Sequence, residues 1–458
     1  MRPGHRVLIR SANTPALVAC WLAATKAGAV VVNAMPMLRA GELTKIVDKA
    51  QIGLALCDAR LLDELNAAAA TSRFLRRVVA FDGTAGTDAE LDRLALGKPK
   101  LAAAARTGRD DVALLAFTSG STGEPKATMH FHRDLLIIAD AYAKCALDPQ
   151  PDDVFVGSPP LGFTFGLGGL AIFPLRFGAA AALFETTTPA RLLDIIAETH
   201  ATVCFTAPTG YRAMLGLLED PRKLDSLRLC VASGESLPAP VFEAWERRTG
   251  KPLLEAMGST EMLHAFLGAR LDDRVAGAVG RPIPGYEAKV VDDDFNEQPR
   301  GVVGRLAVRG PTGCRYLDDV RQRDYVQHGW NITGDCFVHD ADGRFRFVAR
   351  NDDMIVSAGY NIAAPEVEAA LLAHPCVAEC AVVGEQDDAR GQIVVAFVVP
   401  GPDATPDEDL ARALQDHVKA TIAPYKYPRR VRFVAQLPRT SSGKIQRFAL
   451  RSLDSEKV

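Results

Sequence analysis

The sequence lacks the features that would indicate a disulfide scaffold, a repeat protein or a nucleic-acid-binding protein. Its 458 residues contain no CxxC pair, no internal repeat and no long run of charge of one sign, and the formal net charge is −3. Such a chain has no electrostatic reason to bind nucleic acid or an anionic membrane. The nine cysteines are scattered and odd in number, which favours free thiols in a reducing compartment. We therefore expect a cytoplasmic protein that acts on small molecules.

Long uninterrupted hydrophobic runs are also missing. The most apolar region, residues 167–184, contains Pro174 and Arg176, so it cannot supply a continuous membrane-spanning helix. Near the N-terminus, Lys26 interrupts an apolar stretch that otherwise looks like a signal peptide. Thr14 and Pro15 instead suit the N-cap and first residue of a soluble helix. We expect no membrane partner.

The chain is too long for one hydrophobic core, so two or more domains are expected. Short β-rich runs alternate with helical stretches up to about residue 210, which predicts a layered α/β structure with largely parallel strands. A buried strand begins by residue 7, so we expect that an upstream segment is missing. We predict an α/β fold with these parts: a large N-terminal domain over 1–349 that includes a β-rich subdomain over about 277–349, a hinge at 350–353, and a small mobile α+β domain over 354–458.

The segment LLAFTSGSTGEPKATMHFH, residues 114–132, has the composition of a phosphate-binding loop. Its glycines let backbone N–H groups approach an anion, its hydroxyls add donors, and Lys126 adds positive charge. The spacing does not fit the Walker pattern, since Pro125 precedes the lysine and the following residues are strand-like. We therefore predict a loop that joins two strands and holds a polyphosphate.

Further motifs follow in a fixed order: EAMGSTEMLH at 255–264, TGD at 333–335, RNDDMIVSAGYNIAAPEVE at 350–368 and PRTSSGKIQR at 438–447. Together with the glycine loop they resemble the adenylate-forming superfamily, which includes acyl- and aryl-CoA synthetases, luciferases and nonribosomal peptide adenylation domains. The resemblance spans residues 118–447, most of the chain. It implies a ligase that joins a carboxylic acid to CoA through an acyl adenylate, with ATP and CoA as co-substrates, Mg²⁺ as cofactor, and AMP and pyrophosphate as products.

The resemblance also implies the roles of individual residues. Lys444, Thr260 and Glu261 would be catalytic: the lysine neutralises charge on the α-phosphate, the threonine donates to it, and the glutamate is a hard oxygen ligand for Mg²⁺. Taken alone, each would suit an ordinary turn or helix cap. The nucleotide would contact Thr118, Ser119, Gly120, Ser121, Thr122, Gly123, Lys126, Gly234, Glu235, Gly258, Ser259, Asp335 and Arg350. The carboxylate of Asp335 can accept both ribose hydroxyls.

Two further groups of residues would contact the carboxylic acid and the CoA thiol. The segments FTFGLGG and MLH resemble those of benzoate-type and 2-aminobenzoate-type ligases, which implies a flat apolar slot walled by Phe163, Phe165, Ala207 and His264. The wording SAGYN also resembles medium-chain acyl-CoA synthetases, so a fatty acid stays open. The resemblance makes Asp352 the hinge pivot and lines a pantetheine path with Ser357, Ala358 and Gly359. Met257 departs from the family, which usually has an aromatic residue against adenine there.

Parts of the sequence also suit three other classes of protein: a dinucleotide-binding enzyme, a nonribosomal adenylation domain and an inactive nucleotide-binding relative. The segment 166–171 fits the GxGxxA pattern of a dinucleotide-binding enzyme, but Pro159 and Pro160 separate it from the nearest strand. A nonribosomal adenylation domain would place an acidic residue in the acid pocket, and none lies near FTFG or MLH. An inactive nucleotide-binding relative is opposed by the intact Lys444 and Glu261. The sequence leaves open which acid is used and the oligomeric state.

Overall fold

The computed structural model describes residues 2–83, 89–98, 103–118, 124–357, 360–387, 390–402, 404–439 and 445–452. No helix within these ranges is long and apolar enough to cross a membrane. Short 3-10 turns interrupt the loops at Ala59–Leu61, Pro221–Leu224, Asn351–Asp353 and Pro424–Lys426.

The first sheet is formed by apolar runs that are buried on both faces, as expected for parallel strands covered by helices. Its strands are β1 (Arg6–Arg10), β2 (Val30–Ala34), β3 (Leu54–Asp58), β4 (Arg77–Phe81), β5 (Val112–Thr118) and β6 (Lys126–Phe131), in the order β4-β3-β1-β2-β5-β6. All neighbours are parallel except β5 and β6. The helices are α1 (Pro15–Lys26), α2 (Ala40–Ala50), α3 (Leu62–Thr71) and α4 (Glu90–Ala95). Thr14 accepts from the Leu17 amide and caps α1, as predicted.

The second sheet is parallel for most of its width and antiparallel at one end. In chain order this region contains α5 (His132–Ile138), which continues as wider π-helical turns over Ala139–Leu147, then β7 (Val154–Gly157), α6 (Thr164–Leu167), π-helical turns over Gly168–Ile172, α7 (Phe173–Phe177), β8 (Ala180–Ala181), α8 (Pro189–Thr199), β9 (Val203–Thr206), α9 (Pro208–Leu217), β10 (Leu229–Ala232), α10 (Ala239–Thr249), β11 (Leu253–Gly258), β12 (Ala265–Gly268) and β13 (Arg281–Pro282). The strand order is β13-β12-β11-β10-β9-β7-β8. The β11–β12 and β12–β13 pairs are antiparallel.

The β-rich segment predicted from about residue 277 follows. It contains β14 (Glu287–Val291), β15 (Val303–Arg309), the short α11 (Gln322–Tyr325), β16 (Val326–Gln327), β17 (Trp330–His339) and β18 (Phe345–Arg350). The sheet order is β14-β15-β17-β16, and β18 pairs with β17 in an antiparallel hairpin.

The C-terminal part is an α+β structure with its own core. Its elements are β19 (Met354–Ser357), β20 (Tyr360–Ala363), α12 (Ala364–Leu372), β21 (Val377–Asp387), β22 (Gly391–Pro400), α13 (Glu408–Thr421), β23 (Arg430–Phe433) and α14 (Arg447–Ser452). The sheet runs β20-β19-β22-β21, and β23 pairs with β22. Val394, Ala396 and Val398 of β22 pack with Leu414 and Val418 of α13 in one buried cluster.

Contacts within the chain divide it into two compact units. One comprises Met1–Ala288 with Ala307–Ile332, and the other comprises Lys289–Leu306 with Thr333–Val458. This grouping puts β18, most of β14 and β17 and part of β15 with the C-terminal part. The hinge at 350–353 stays a prediction, because a division by contacts describes compactness and not the pivot of a movement.

Candidate active site

The predicted phosphate segment is a β-hairpin. Its strands β5 and β6 are antiparallel, and Thr118 at the end of one lies opposite Lys126 at the start of the other. The hydroxyl of Thr118 is buried without a hydrogen-bond partner among the described residues. The predicted contacts Ser119, Gly120, Ser121, Thr122 and Gly123 lie outside the described residues. The described ends confirm that the segment joins two strands, with Thr118 and Lys126 paired in register where β5 ends and β6 begins.

Lys126 is linked to the predicted metal ligand through a tyrosine. Glu261 is 8% exposed, and its Oε1 accepts a 2.7 Å hydrogen bond from the Tyr316 hydroxyl. The Lys126 ammonium donates to the same hydroxyl at 3.4 Å. Burial and the neighbouring Glu261 carboxylate raise the pKa of Tyr316 above its ordinary value, so the hydroxyl stays protonated and acts as a donor.

A buried histidine holds the backbone beside Glu261. Nε2 of His130 donates to the Thr260 carbonyl at 2.8 Å, and the His130 side chain is fully buried. Burial lowers the pKa of His130 to about 4, so the imidazole is neutral. The carboxylate of Asp134 lies 3.9 Å from His130 Nδ1, and burial raises the pKa of Asp134. The hydrogen bond from His130 to the Thr260 carbonyl fixes the peptide group that precedes Glu261.

Gly258 and Ser259 shape the same segment. The register of β11 against β12 shifts between Met257 and Gly258, and a Cβ at Gly258 would lie 2.6 Å from the His264 carbonyl oxygen. Only glycine allows this close approach of two backbones. Ser259 Oγ accepts from the Met262 amide at 3.2 Å. The segment therefore turns sharply after β11, which brings Glu261 toward Tyr316.

The loop after β10 carries the other residues predicted to contact the nucleotide. Gly234 has a φ of +90°, a conformation that favours glycine, and Glu235 accepts from the Thr209 amide at 3.4 Å. The loop is anchored where the Leu237 amide donates to Glu255 Oε1 at 3.1 Å. Burial raises the pKa of Glu255 to about 7. Glu255 is thus a buried anchor for this loop.

The donor set suits Mg²⁺ held mainly by phosphate oxygens. No group of three or more His, Cys, Asp or Glu side chains in the described ranges is arranged to hold a metal by itself. Mg²⁺ typically uses one or two carboxylates together with substrate phosphates and water. Glu261 is one such carboxylate, and its Oε2 has no hydrogen-bond partner among the described residues.

His264 lies in an aromatic cluster. Its ring centroid is 4.7 Å from Phe173, 5.5 Å from Tyr142 and 5.8 Å from Phe165. Burial lowers the pKa of His264 to about 3, against a smaller opposing effect of the Phe165 backbone, so the imidazole is neutral. Within the described residues, neither ring nitrogen has a partner at hydrogen-bonding geometry. The imidazole is therefore a polar group in surroundings that are mainly aromatic.

The remaining predicted pocket residues lie at helix starts. Phe163 precedes α6, where its carbonyl accepts from the Leu167 amide at 2.8 Å, and Ala207 precedes α9. Both are partly exposed. The contacts of the structure join Phe165 to His264, whereas a wall that includes Phe163 and Ala207 stays a prediction.

The glycines of residues 166–171 pack inside the protein. A Cβ at Gly166 would lie 2.2 Å from the Pro160 carbonyl oxygen, and one at Gly168 would lie 2.4 Å from His264 Cδ2. The segment lies in α6 and the following π-helical turns, without a strand leading directly into it. This arrangement opposes the dinucleotide-binding alternative, in which such glycines approach a pyrophosphate.

The predicted ribose site lies on the β17–β18 hairpin. Asp335 and Arg350 are opposite each other across the two strands, and Arg350 Nη1 donates to Asp335 Oδ1 at 2.9 Å. The Asp335 carboxylate is buried, whereas the Arg350 side chain is 53% exposed. Gly334, inside β17, has a φ of +77°, a conformation that favours glycine. The pair presents a buried carboxylate held by an exposed guanidinium.

The predicted hinge and thiol path are only partly described. Asp352 lies in the 3-10 turn Asn351–Asp353, and Ser357 is buried at the end of β19. Ala358, Gly359 and the catalytic candidate Lys444 lie outside the described residues. Their roles stay predictions.

Reasoning from the sequence missed several residues of the site. Tyr316 and His130 carry no motif that marks them as partners of Glu261 and of the Thr260 carbonyl. Tyr142 and Phe173 also lie outside the recognised motifs, and no local spacing encodes their ring contacts with His264. The sequence offers one weak signal for Tyr316 and His130, namely an aromatic or imidazole side chain within a polar segment.

The comparisons with known proteins agree with this architecture. The model of the family described as AMP-binding enzyme matches residues 1–315, and that of its C-terminal domain matches residues 366–444. The benzoate–CoA ligase of Thauera aromatica is 35% identical over 457 residues, covering 99% of this chain and 86% of that protein.

Solved structures give the same result. That of the anthranilate CoA ligase AuaEII in complex with anthranoyl-AMP has a TM-score of 0.93 at 33% identity, covering 99% of this chain and 88% of the other. That of a benzoate CoA ligase from Burkholderia xenovorans LB400 has a TM-score of 0.90 at 32% identity, covering 98% and 90%. The predicted α/β fold, with a large N-terminal and a small C-terminal part, is confirmed, and the chain belongs to the AMP-binding enzyme family.

Proposed function

We propose that the protein is an ATP-dependent ligase that joins an aromatic carboxylic acid of the benzoate or 2-aminobenzoate type to CoA. Family membership supports the use of ATP, and the named relatives act on benzoate or anthranilate. The observation that carries the choice of an aromatic acid is the neutral imidazole of His264 among the rings of Phe165, Phe173 and Tyr142. A buried, neutral polar group with aromatic neighbours suits a flat ring with one polar substituent.

In the first half-reaction an oxygen of the substrate carboxylate attacks the α-phosphorus of ATP. The new O–P bond gives the acyl adenylate, while the bond from the α-phosphorus to the bridging oxygen breaks and pyrophosphate leaves. Thr118, the loop residues 119–123 and Lys126 would hold the β- and γ-phosphates. Glu261 would hold Mg²⁺, whose charge when bound offsets that of the phosphate oxygens. Thr260 and Lys444 would donate to the α-phosphate.

Two groups of residues would contact the nucleoside. The carboxylate of Asp335 would accept the ribose hydroxyls, and Arg350 orients that carboxylate through its 2.9 Å contact. Gly234, Glu235, Gly258 and Ser259 would approach the base with backbone and small side chains. Met257 would lie against adenine as a flexible thioether in place of an aromatic ring.

In the second half-reaction the CoA sulfur attacks the acyl carbon as a thiolate, the bond from that carbon to AMP breaks, and AMP leaves with the electron pair. A rotation about Asp352 would exchange the face that carries Lys444 for the one that carries Ser357, Ala358 and Gly359. Exclusion of water during this exchange would protect the mixed anhydride from hydrolysis.

A product screen tests the proposal. The protein is incubated with ATP, Mg²⁺, CoA and one acid at a time, namely benzoate, 2-aminobenzoate, the hydroxybenzoates or octanoate, and thioesters are measured by mass spectrometry. We expect aryl-CoA with at least one aromatic acid and, for His264→Ala, a changed ranking of the aromatic acids. Octanoyl-CoA as the dominant product, with no aryl-CoA, would transfer the protein to the medium-chain acyl class.

A further inference from the structure

Tyr316 lies between the two charged side chains of the proposed phosphate and metal site. Its hydroxyl donates to Glu261 Oε1 at 2.7 Å and accepts from the Lys126 ammonium at 3.4 Å. Lys126 also lies over the Tyr316 ring, 5.2 Å from its centroid. No direct ion pair joins Lys126 to Glu261 in the described part of the chain. The tyrosine is thus a neutral spacer between a cation and an anion.

The backbone of Tyr316 is held from two sides, so the position of the hydroxyl is set by the fold. The segment pairs with β6 through an isolated bridge between Thr128 and Tyr316, and the Leu317 amide donates to the Ala127 carbonyl at 2.8 Å. On the other side, Gln322 Oε1 accepts from the Tyr316 amide at 2.7 Å. Lys126 belongs to the same strand, β6, so tyrosine and lysine share one rigid support.

From this geometry we infer that Tyr316 is a positioning residue for Mg²⁺-dependent nucleotide binding. Its hydroxyl occupies Glu261 Oε1 and leaves Oε2 as the oxygen that faces the cation. It also keeps Lys126 from closing onto Glu261, so the ammonium stays available to a phosphate. The inference rests on the proposed function, because it assigns Glu261 to Mg²⁺ and Lys126 to the phosphates.

The Tyr316 hydroxyl prevents a direct contact between the two charged groups. Without it, Lys126 and Glu261 would be two opposite charges in a partly buried environment with no group between them, and their attraction would favour a direct ion pair. Such a pair would consume one ligand of the cation and one donor to the phosphate together. Substitution by phenylalanine keeps the ring, including its edge contact with Tyr325 at 5.8 Å, and removes only the hydroxyl.

The test is calorimetric and does not depend on turnover. Binding of α,β-methylene-ATP, which cannot release pyrophosphate, is measured over a series of Mg²⁺ concentrations for wild type and Tyr316→Phe. The half-saturating Mg²⁺ concentration should rise about tenfold in the variant, the effect of one hydrogen bond to a charged group. Tyr211→Phe is the matched control, because it also loses a buried hydroxyl, which donates to the Cys204 carbonyl at 2.8 Å. It should leave the Mg²⁺ dependence unchanged.

A second variant tests the same contact from its other end. Glu261→Gln should raise the half-saturating Mg²⁺ concentration, and adding Tyr316→Phe in that background should produce no further rise. Additive shifts in the double variant would overturn the inference, as would an unchanged Mg²⁺ dependence in Tyr316→Phe or an equal shift in Tyr211→Phe. If the wild-type protein binds the analogue without any response to Mg²⁺, the proposed role of the metal is wrong. If the wild type responds to Mg²⁺ and Tyr316→Phe responds equally, only the role of Tyr316 is wrong.

Discussion

Arg350 donates to Asp335 across neighbouring strands, so a half-exposed guanidinium orients a buried carboxylate. Asp335→Asn keeps the size of the side chain and removes its charge. We expect the apparent affinity for ATP to fall by about tenfold or more, because a hydrogen bond to a charged group contributes about 1.5–3 kcal/mol. The measurement is the KM for ATP.

The same hairpin supplies the control for this substitution. Asp340 accepts from Arg346 at 3.0 Å farther along β17 and β18. Asp340→Asn should lower the free energy of unfolding without changing the KM for ATP. An equal rise in KM for both variants would mean that the hairpin is merely destabilised.

Gly168 leaves room for the imidazole of His264. A Cβ at Gly168 would lie 2.4 Å from His264 Cδ2, so Gly168→Ala must displace the ring. We expect the KM for the aromatic acid to rise more than the KM for ATP, and stability to fall by about 1–3 kcal/mol. Gly216→Ala, at a helical position with nothing within 4 Å of its Cβ, should change neither KM. Equal changes in the two KM values would show that His264 does not face the acid.

Burial of His130 predicts a specific dependence of stability on pH. The pKa of His130 is lowered to about 4 in the folded state from an unfolded value near 6.5, so the unfolded state binds the extra proton between these values. Stability should therefore be fully present above about pH 6.5 and should fall as the pH drops toward 4, by up to about 1.4 kcal/mol per pH unit from this group. Chemical denaturation at several pH values measures the slope.

The contribution of His130 is isolated by substitution. His130→Gln retains an amide N–H that can donate to the Thr260 carbonyl but has no proton to gain in this range. The slope between pH 4 and 6.5 should become shallower than in wild type. His200→Asn changes an exposed residue with a φ of +51° to one that tolerates this conformation, and its slope should match that of wild type. A slope unaffected by His130→Gln would contradict the prediction.

Lys444 is the proposed donor to the α-phosphate. Lys444→Ala should lower the rate of acid-dependent pyrophosphate release by about 10²–10³, the cost of removing one preorganised donor to a charge that develops in the transition state. Thermal unfolding should be unchanged. Lys419→Ala, which removes an exposed lysine paired with Asp416 at 2.8 Å, should retain full activity. Unchanged pyrophosphate release in Lys444→Ala would refute its role.

Local sequence patterns predicted the strands of the phosphate segment but not the side-chain contacts of the site. The apolar run before Thr118 and the strand-like residues after Pro125 predicted the hairpin of β5 and β6, because strand propensity and the glycine loop are local properties. The partnership of Tyr316 with Glu261 joins residues 55 positions apart and depends on how the segment after β15 pairs with β6. No periodicity within either segment encodes that pairing.

In the acid pocket too, motifs indicated some residues, whereas contacts that depend on packing were not predictable. The resemblance of MLH and FTFG to aryl-CoA ligases indicated His264 and Phe165, which the structure brings to a ring distance of 5.8 Å. Tyr142 and Phe173 were missed because neither lies in a motif, and the ring contacts that join them to His264 depend on packing between distant segments. The tight fit of Gly168 against His264 is a property of packing and becomes visible only in three dimensions.

Isotope exchange between pyrophosphate and ATP in the absence of CoA detects formation of the acyl adenylate. Exchange requires that the carboxylate displace pyrophosphate reversibly, so it reports the first half-reaction alone. We predict exchange that depends on added benzoate or 2-aminobenzoate and on Mg²⁺, and that is lost in Lys444→Ala. If the wild-type protein binds ATP but shows no acid-dependent exchange with any aromatic or medium-chain acid, it does not form an acyl adenylate.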